Sequence, residues 1–337
     1  MNRNITGFYH DPPLFLVKNP IGEDRLSVDF STFSDEAYRE KIAHGLDIMA
    51  TVEGLIAFDF SDLREYTWEN ADDNSPNSFD NQAEVVVRRT RAMNAFVAFL
   101  YTQEIINAKY ARERMVITPD LTIPMDKLDP KASKSFSSQR VSHLSMSSYP
   151  DTYRPAIPYP FDSRLSTRGA PVSADVVKDA ADDLNRLIAE HGSEGVLLVD
   201  LFLRASKAFQ DHDHSLSLIN SWTVIERLLN DLWGQLRSDY KTRDGVPFIS
   251  GDRLRRLQDG RTFTASVISE ILSFLDYLPK DIYDDMTKIR KTRNEWMHGL
   301  KVADAYIAEM AISVAERMLK QVKNITVKGA VLRRLHG

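Results

Sequence analysis

The second half of the chain is a succession of apolar stripes at helical spacing. Leu218, Trp222, Ile225, Leu229 and Leu232 recur three or four residues apart. So do Val267, Ile268, Ile271, Leu275 and Leu278, and again Ile307, Met310, Ala311, Val314 and Met318. Side chains at this spacing share one face of an α-helix, so helices are expected over 215–236, 264–278 and 302–323, with Pro279 ending the second. A further helix is expected over 281–298. Upstream, Ser173 is placed to cap a helix that stops at His191-Gly192, and another runs over 195–210. Residues 241–262, with Gly245, Pro247, Gly251 and Gly260, read as a loop.

The first half is less regular. Leu14–Val17 and Leu26–Phe30 read as two short extended segments around the turn-like Asn19-Pro20-Ile21-Gly22, a small hairpin. Ser34, followed by Asp35 and Glu36, suits a helix start, and Ile42, Leu46, Met49 and Val52 continue it as one stripe. A polar loop over 61–81 leads to a long helix over 82–115. Its Val86, Ala92, Phe96, Phe99, Leu100 and Ile106 are expected inside, and Arg88, Arg89 and Arg91 outside. Residues 117–172 hold eight of the 14 prolines and two serine-rich runs, interleaved with Tyr149, Tyr153, Tyr159 and Phe161. They read as an irregular strap or linker. The organisation is therefore a mostly helical N-terminal region (1–116) with a possible sensing or regulatory role, a Pro/Ser-rich segment (117–172), a C-terminal helical domain (173–325) and a basic tail (326–337). The fold class is mainly α: a helical bundle with a small extended or β element at the N-terminus.

Composition narrows the chemistry. The 337 residues are 43% hydrophobic and 27% charged, ordinary for a globular protein of about two domains. A net charge of -5 argues against wholesale coating of nucleic acid but leaves room for a local basic site. The absence of cysteine removes disulfides, thiolate metal sites and cysteine nucleophiles, and fits a reducing compartment. The N-terminus lacks the apolar run of a signal peptide and no stretch is apolar enough to span a membrane, so a cytoplasmic protein without a membrane partner is expected. Phosphate-binding Gly-rich loops, dinucleotide fingerprints, HExxH and GxSxG are all missing, so no cofactor is expected.

Two stretches carry candidate chemistry. Asp211-His212-Asp213-His214 gathers four metal-ligand types, yet neighbours on an extended chain point to opposite sides, and Asp213 is placed to cap the helix that starts at Ser215. No metal site is expected there. The other stretch runs from Lys288 to Gly299. Lys288, Arg290, Lys291 and Arg293 fall within six positions and are followed by Asn294, Trp296 and His298. Asn294 and His298 share a helix face. Arg293 lies about 140° from His298 around the axis, within swing of a long guanidinium. Histidine exchanges protons near neutral pH. Arginine grips a phosphate through two hydrogen bonds. These parts suffice for metal-free RNA cleavage, in which the RNA's own 2′-hydroxyl attacks the adjacent phosphate. The residues equally suit a solvated basic helix face, with Trp296 in the core and His298 capping carbonyls.

Arg293-Asn294-Glu295-Trp296-Met297-His298 resembles the Arg-x4–6-His motif of the HEPN superfamily, in the form where Asn follows Arg. Ser221–Leu229, with Glu226, resembles the earlier helix of Apea-like HEPN proteins, and an apolar last helix follows the motif. The resemblance spans about 200–325. It implies a helical bundle that dimerises to form a composite site, and a metal-independent endoribonuclease acting as a toxin or in antiphage defence. It further implies His298 as general acid/base, Arg293 as phosphate and transition-state stabiliser, and Asn294 as orienting residue. Glu226 would pair with Arg293 or brace it, Lys288, Arg290 and Lys291 would bind RNA, and Arg253, Arg255 and Arg256 would add affinity or form a solvated charge run. RNA, a second copy of the chain, and an antitoxin or phage-derived trigger are the expected partners. A non-catalytic module that binds a nucleotide or a partner protein is the alternative.

Overall fold

Residues 47–51 and 55–59 show how this chain departs from helical expectation. Asp47-Ile-Met-Ala-Thr51 and Leu55-Ile-Ala-Phe-Asp59 are short, nearly continuous apolar runs on either side of Gly54. In the computed structural model they are two strands of a five-stranded antiparallel sheet. The structure describes residues 4–10, 14, 16–17, 35–41, 45–52, 54–67, 78–108, 111–129, 172–243, 246–249 and 251–329. The elements are β1 (Ile5–Tyr9), β2 (Leu16–Val17), β3 (Glu36–Glu40), β4 (Asp47–Thr51), β5 (Leu55–Asp59), α1 (Ser78–Gln103), β6 (Ile123–Met125), β7 (Val172–Ser173), α2 (Ala174–Gln210), α3 (His214–Asp239), β8 (Thr242–Arg243), β9 (Val246–Pro247), α4 (Gly251–Leu257), α5 (Ala265–Phe274), α6 (Lys280–Gly299) and α7 (Ala305–Lys323). The protein is mainly helical with a small antiparallel sheet near its N-terminus. Among the described residues no helix is long and apolar enough to cross a membrane. The chain forms two compact units, residues 1–200 and 201–337.

In the first unit the sheet runs in the order β3-β4-β5-β1-β6. It replaces the helix expected from Ser34, because both faces of the central strands are covered. A strand buried on both sides loses the polar–apolar alternation that would mark it. One face holds Ile5, Met49, Leu55 and Ala57 against Met125 and Leu128. The other holds Phe8 stacked on Phe58, which meets Phe96 of α1 edge-on. Gly54 makes the β4–β5 turn possible: its φ is +89°, and an added Cβ would lie 2.0 Å from the Leu14 carbonyl oxygen. Leu16–Val17 pairs in parallel with Val172–Ser173. The second arm of the expected hairpin, most of the Pro/Ser segment and residues 330–337 of the basic tail lie outside the described residues, while Val327 of that tail is buried and Lys328 pairs with Glu316.

The helix expected over 82–115 is corrected at both faces and at its end. Arg89 is buried rather than outward, because the Tyr66 carbonyl (2.7 Å) and Asn4 Oδ1 (2.8 Å) accept its N–H groups and Phe60 covers it. Ile106 is 40% exposed rather than inside. The α-helix gives way to a π-helical turn over Glu104–Ala108, and residues 111–118 are not helical. Side chains of α1 complete that segment's backbone hydrogen bonds: Asn94 pairs with both backbone groups of Ile117, and Tyr101 accepts from the Met115 N–H at 2.8 Å.

The expected stop at Gly192 becomes a kink inside α2, with φ 57° and ψ -151°. In the second unit α3 packs against α7, α5 and α6. Small residues Ala308, Ala311 and Ala315 on α7 sit fully buried and allow close approach. Helix α5 stops at Phe274, four residues short of expectation, because Asp276 turns left-handed (φ 59°) and both Tyr277 and Leu278 N–H bond back to the Leu272 carbonyl. Pro279 then starts α6 rather than ending α5. The expected loop 241–262 contains β8, β9 and α4.

Candidate functional site

Helix α6 buries Ile282, Met286 and Ile289. Continuing that spacing by four places Arg293 on the same stripe. This position explains its environment: Arg293 is half-buried, and its Nε is fully shielded with no hydrogen-bond partner among the described residues. Its Nη1 donates to Asn294 Oδ1 at 3.1 Å. His298, five residues on, falls away from the stripe and is exposed, as is Asn294 on the face it shares with His298. Trp296 is half-buried.

The end of α6 differs from its sequence reading. Gly299 is still helical, and Leu300 takes the left-handed cap at φ 52°. Its N–H bonds to the Trp296 carbonyl at 2.8 Å, closing the helix. The loop beyond is pinned to α3 by the Ala303 N–H donating to Ser215 Oγ at 3.1 Å. Around this end lies an apolar surface: Met297 is 48% exposed, Leu300 and Val302 74% each, and Tyr306 67%.

The remaining expected site residues are distributed as follows. Glu226 is half-buried on α3 and accepts the Trp222 indole N–H at 3.1 Å. The pairing of Glu226 with Arg293 is not formed; Glu226 serves Trp222 instead. Lys288 is tied to Asp285 at 3.2 Å. Arg290 is half-buried beside Tyr283, where its charge opposes the upward push on the phenol from Glu270. Lys291 is exposed and lies close enough to Glu295 to help lower its pKa, although the Lys301 ammonium, at 2.7 Å, is the main cause. The cation run along α6 is thus partly neutralised by Asp285 and Glu295. At the other candidate, Asp213 caps α3 by accepting the Leu216 N–H at 3.0 Å, as its position suggests, and Asp211 pairs with Lys207. Among the described residues no three His, Cys, Asp or Glu side chains are grouped to hold a metal ion.

The densest buried polar chemistry is one the sequence reading did not single out. In the first unit Arg112 and Glu104 form an ion pair at 2.7 Å, their side chains 1% and 4% exposed. Arg114 lies 4.4 Å above the Tyr101 ring. The Tyr101 hydroxyl also bonds His10 Nε2, and burial pushes its pKa up. Asn94 donates to buried Asp200 at 2.7 Å. The alternating Arg112 and Arg114 were the available signal, a period of two that a helix does not make. These groups pair with one another, although Arg112 Nη1 and Arg114 Nε make no hydrogen bond, and they are sealed from solvent, so they hold structure rather than meet substrate.

Comparison of the chain with family models, curated proteins and solved structures gives no match.

Proposed function

We propose that the chain is a metal-independent endoribonuclease of HEPN type, working as a toxin or antiphage effector in the cytoplasm. The observation that carries this reading is the last two turns of α6. They join an arginine whose shielded Nε has no acceptor among the described residues to an exposed histidine and asparagine. An unpaired buried donor costs roughly 1–3 kcal/mol, a cost that a phosphate oxygen relieves once the side chain swings toward it. His298 removes the proton from the RNA 2′-hydroxyl or returns one to the leaving 5′-oxygen. Arg293 holds the phosphate and the charge that grows on it. Asn294 orients the guanidinium through its 3.1 Å contact. The product is a 2′,3′-cyclic phosphate, and no metal or cofactor takes part. One Arg293 and one His298 on diverging faces make only half of such a site. The exposed Met297, Leu300, Val302 and Tyr306 beside them supply an apolar rim on which a second copy completes it.

One observation favours the second reading, a non-catalytic binding or oligomerisation module: Arg293 lies on the inward stripe of α6 and is already engaged with Asn294. The deciding experiment is cleavage of RNA by the full-length chain in EDTA. His298→Ala is expected to lower the rate by about 10²–10⁴-fold while leaving the melting temperature unchanged. Cleavage of equal rate in His298→Ala, or intact RNA with the wild-type dimer, leaves the binding module as the reading.

A further inference from the structure

The connection between α3 and α5, whose Arg253, Arg255 and Arg256 are expected from the sequence to add affinity or form a solvated charge run, has no part in the catalytic steps above, yet it is built with care. Residues 240–263 carry six cations, Lys241, Arg243, Arg253, Arg255, Arg256 and Arg261, against three carboxylates, Asp244, Asp252 and Asp259. The segment is fastened from behind. The Trp233 indole N–H donates to the Leu257 carbonyl at 3.0 Å, and the Trp233 and Phe263 rings stack at 5.2 Å. Its outer side is open: α4 buries none of its residues. A helix fixed in place with no covered face presents that face to something else.

The open side has a specific chemistry. The β8–β9 pairing sets Phe248 across from Lys241, whose carbonyl accepts the Phe248 N–H at 2.8 Å. The Arg253 guanidinium lies over the Phe248 ring at 4.2 Å and donates to its carbonyl at 3.3 Å. Arg256 follows on the same face of α4, one turn on. Phe248 is 38% exposed and neighbouring Tyr240 45%. Two of the three acids are occupied: Asp252 pairs with Arg255, and Asp259 accepts from Thr262 Oγ1 and the Arg261 N–H, while Asp244 lies outside the described residues. Lys241, Arg253 and Arg256 have no carboxylate partner among the described residues.

We infer that this surface, centred on Lys241, Phe248, Arg253 and Arg256, docks single-stranded RNA. The inference rests on the nuclease reading above and gives its substrate a path apart from α6, whose cations are partly neutralised. Free cations answer phosphates, and the Arg253–Phe248 stack and Tyr240 offer flat faces to unstacked bases. An acidic polypeptide would use the cations but gain nothing from the rings.

The test is fluorescence anisotropy of the full-length chain with 2′-O-methyl RNA, which binds but has no 2′-hydroxyl to attack. Lys241→Ala/Arg253→Ala/Arg256→Ala is expected to weaken binding at least about tenfold and to flatten the salt dependence by about two log units per log unit of salt. A variant of equal charge, Lys280→Ala/Arg317→Ala/Lys320→Ala, is expected to bind within about twofold of wild type. Phe248→Leu, which keeps apolar bulk without the ring, is expected to lose about tenfold. Equal losses in the two triple variants, no loss in the first, displacement of RNA by polyglutamate at equal charge, or full affinity in Phe248→Leu each overturns the inference. The nuclease reading fails separately: RNA held by this surface but never cut defeats that reading alone, whereas cutting that needs His298 but ignores this surface defeats this inference alone.

Discussion

The two units treat charge in opposite ways. The first buries it: Arg89, Glu104, Arg112, Arg114 and Asp200 are all at or below 4% exposure, with Arg112 paired to Glu104, Arg89 donating to the Tyr66 carbonyl and Asn4, and Asp200 accepting from Asn94. The second buries hydrocarbon. Its α3, α6 and α7 meet mainly through Leu, Ile, Val, Ala and Met, and ion pairs such as Arg317 with Asp281 and Lys280 with Asp284 lie on the surface, while Lys323 of α7 and Asp231 of α3 form a half-buried pair. Arg293 is an arginine on an apolar stripe whose Nε is shielded without a hydrogen bond, as is Nη1 of Arg237, one turn beyond buried Trp233 on α3. A buried charge that is paired holds an irregular segment in place. What separates Arg293 from Arg112 and Arg114, which also carry a shielded nitrogen without a hydrogen bond, is that it is only half-buried and lies beside exposed Asn294 and His298.

The sharpest way to break this contrast is to remove one member of the sealed pair. Arg112→Met leaves Glu104 buried and unpaired, which is expected to cost about 3–5 kcal/mol and to be read as a large drop in the urea midpoint of the first unit. Replacing both, Arg112→Met with Glu104→Met, is expected to recover most of that loss, since a well-packed apolar pair is often as stable as the ions it replaces. In the second unit the same substitution has the opposite sign. Arg293→Met keeps the length of the side chain, continues the Ile282–Met286–Ile289 stripe and removes the orphaned Nε. It is expected to raise stability by about 1 kcal/mol in thermal or urea melts while abolishing cleavage. A stability loss would make Arg293 an ordinary structural arginine.

The same contrast explains what could be read from the chain. Helices α3, α6 and α7 were legible because each buries one face only, so the 3.6-residue period survives in Leu218–Leu232, Ile282–Ile289 and Ala311–Met318, and Asp213 announced a start. The placement of Arg293 inside and His298 outside follows from counting along α6. The sheet was not legible: Ile48, Met49, Ala50, Ile56, Ala57 and Phe58 are all fully buried, so neither a period of two nor one of 3.6 stands out. What Arg89 and Arg112 pair with was unreadable for a different reason. Their acceptors, the Tyr66 carbonyl and the Glu104 carboxylate, become neighbours only after the chain has folded back. The end of α6 lay between these cases, since Gly299 marked the right turn but Leu300 took the left-handed position.

The smallest effect belongs to the polar seam where α2 meets α1 in the first unit. Asp183 accepts from Gln103 Nε2 at 2.7 Å and pairs with Arg186 at 3.2 Å. Even so, burial first, and then the charges of Asp179 and Asp182, hold its pKa above the ordinary carboxylate value of 3.8. For an acid whose folded pKa is raised, the folded state binds more protons than the unfolded one between the two values, so stability falls as pH rises through that window. The penalty is absent below the unfolded pKa and complete once pH passes the folded one. Asp183→Asn keeps an oxygen for Gln103 and removes the charge. It is expected to raise stability by about 0.5 kcal/mol at pH 7, with the gain shrinking as pH is lowered toward 3.8. Urea midpoints of the two proteins across that range check the sign: a gain that grows in acid would mean that the Arg186 pair outweighs burial and the neighbouring carboxylates, and that this seam, too, is held by a paired charge.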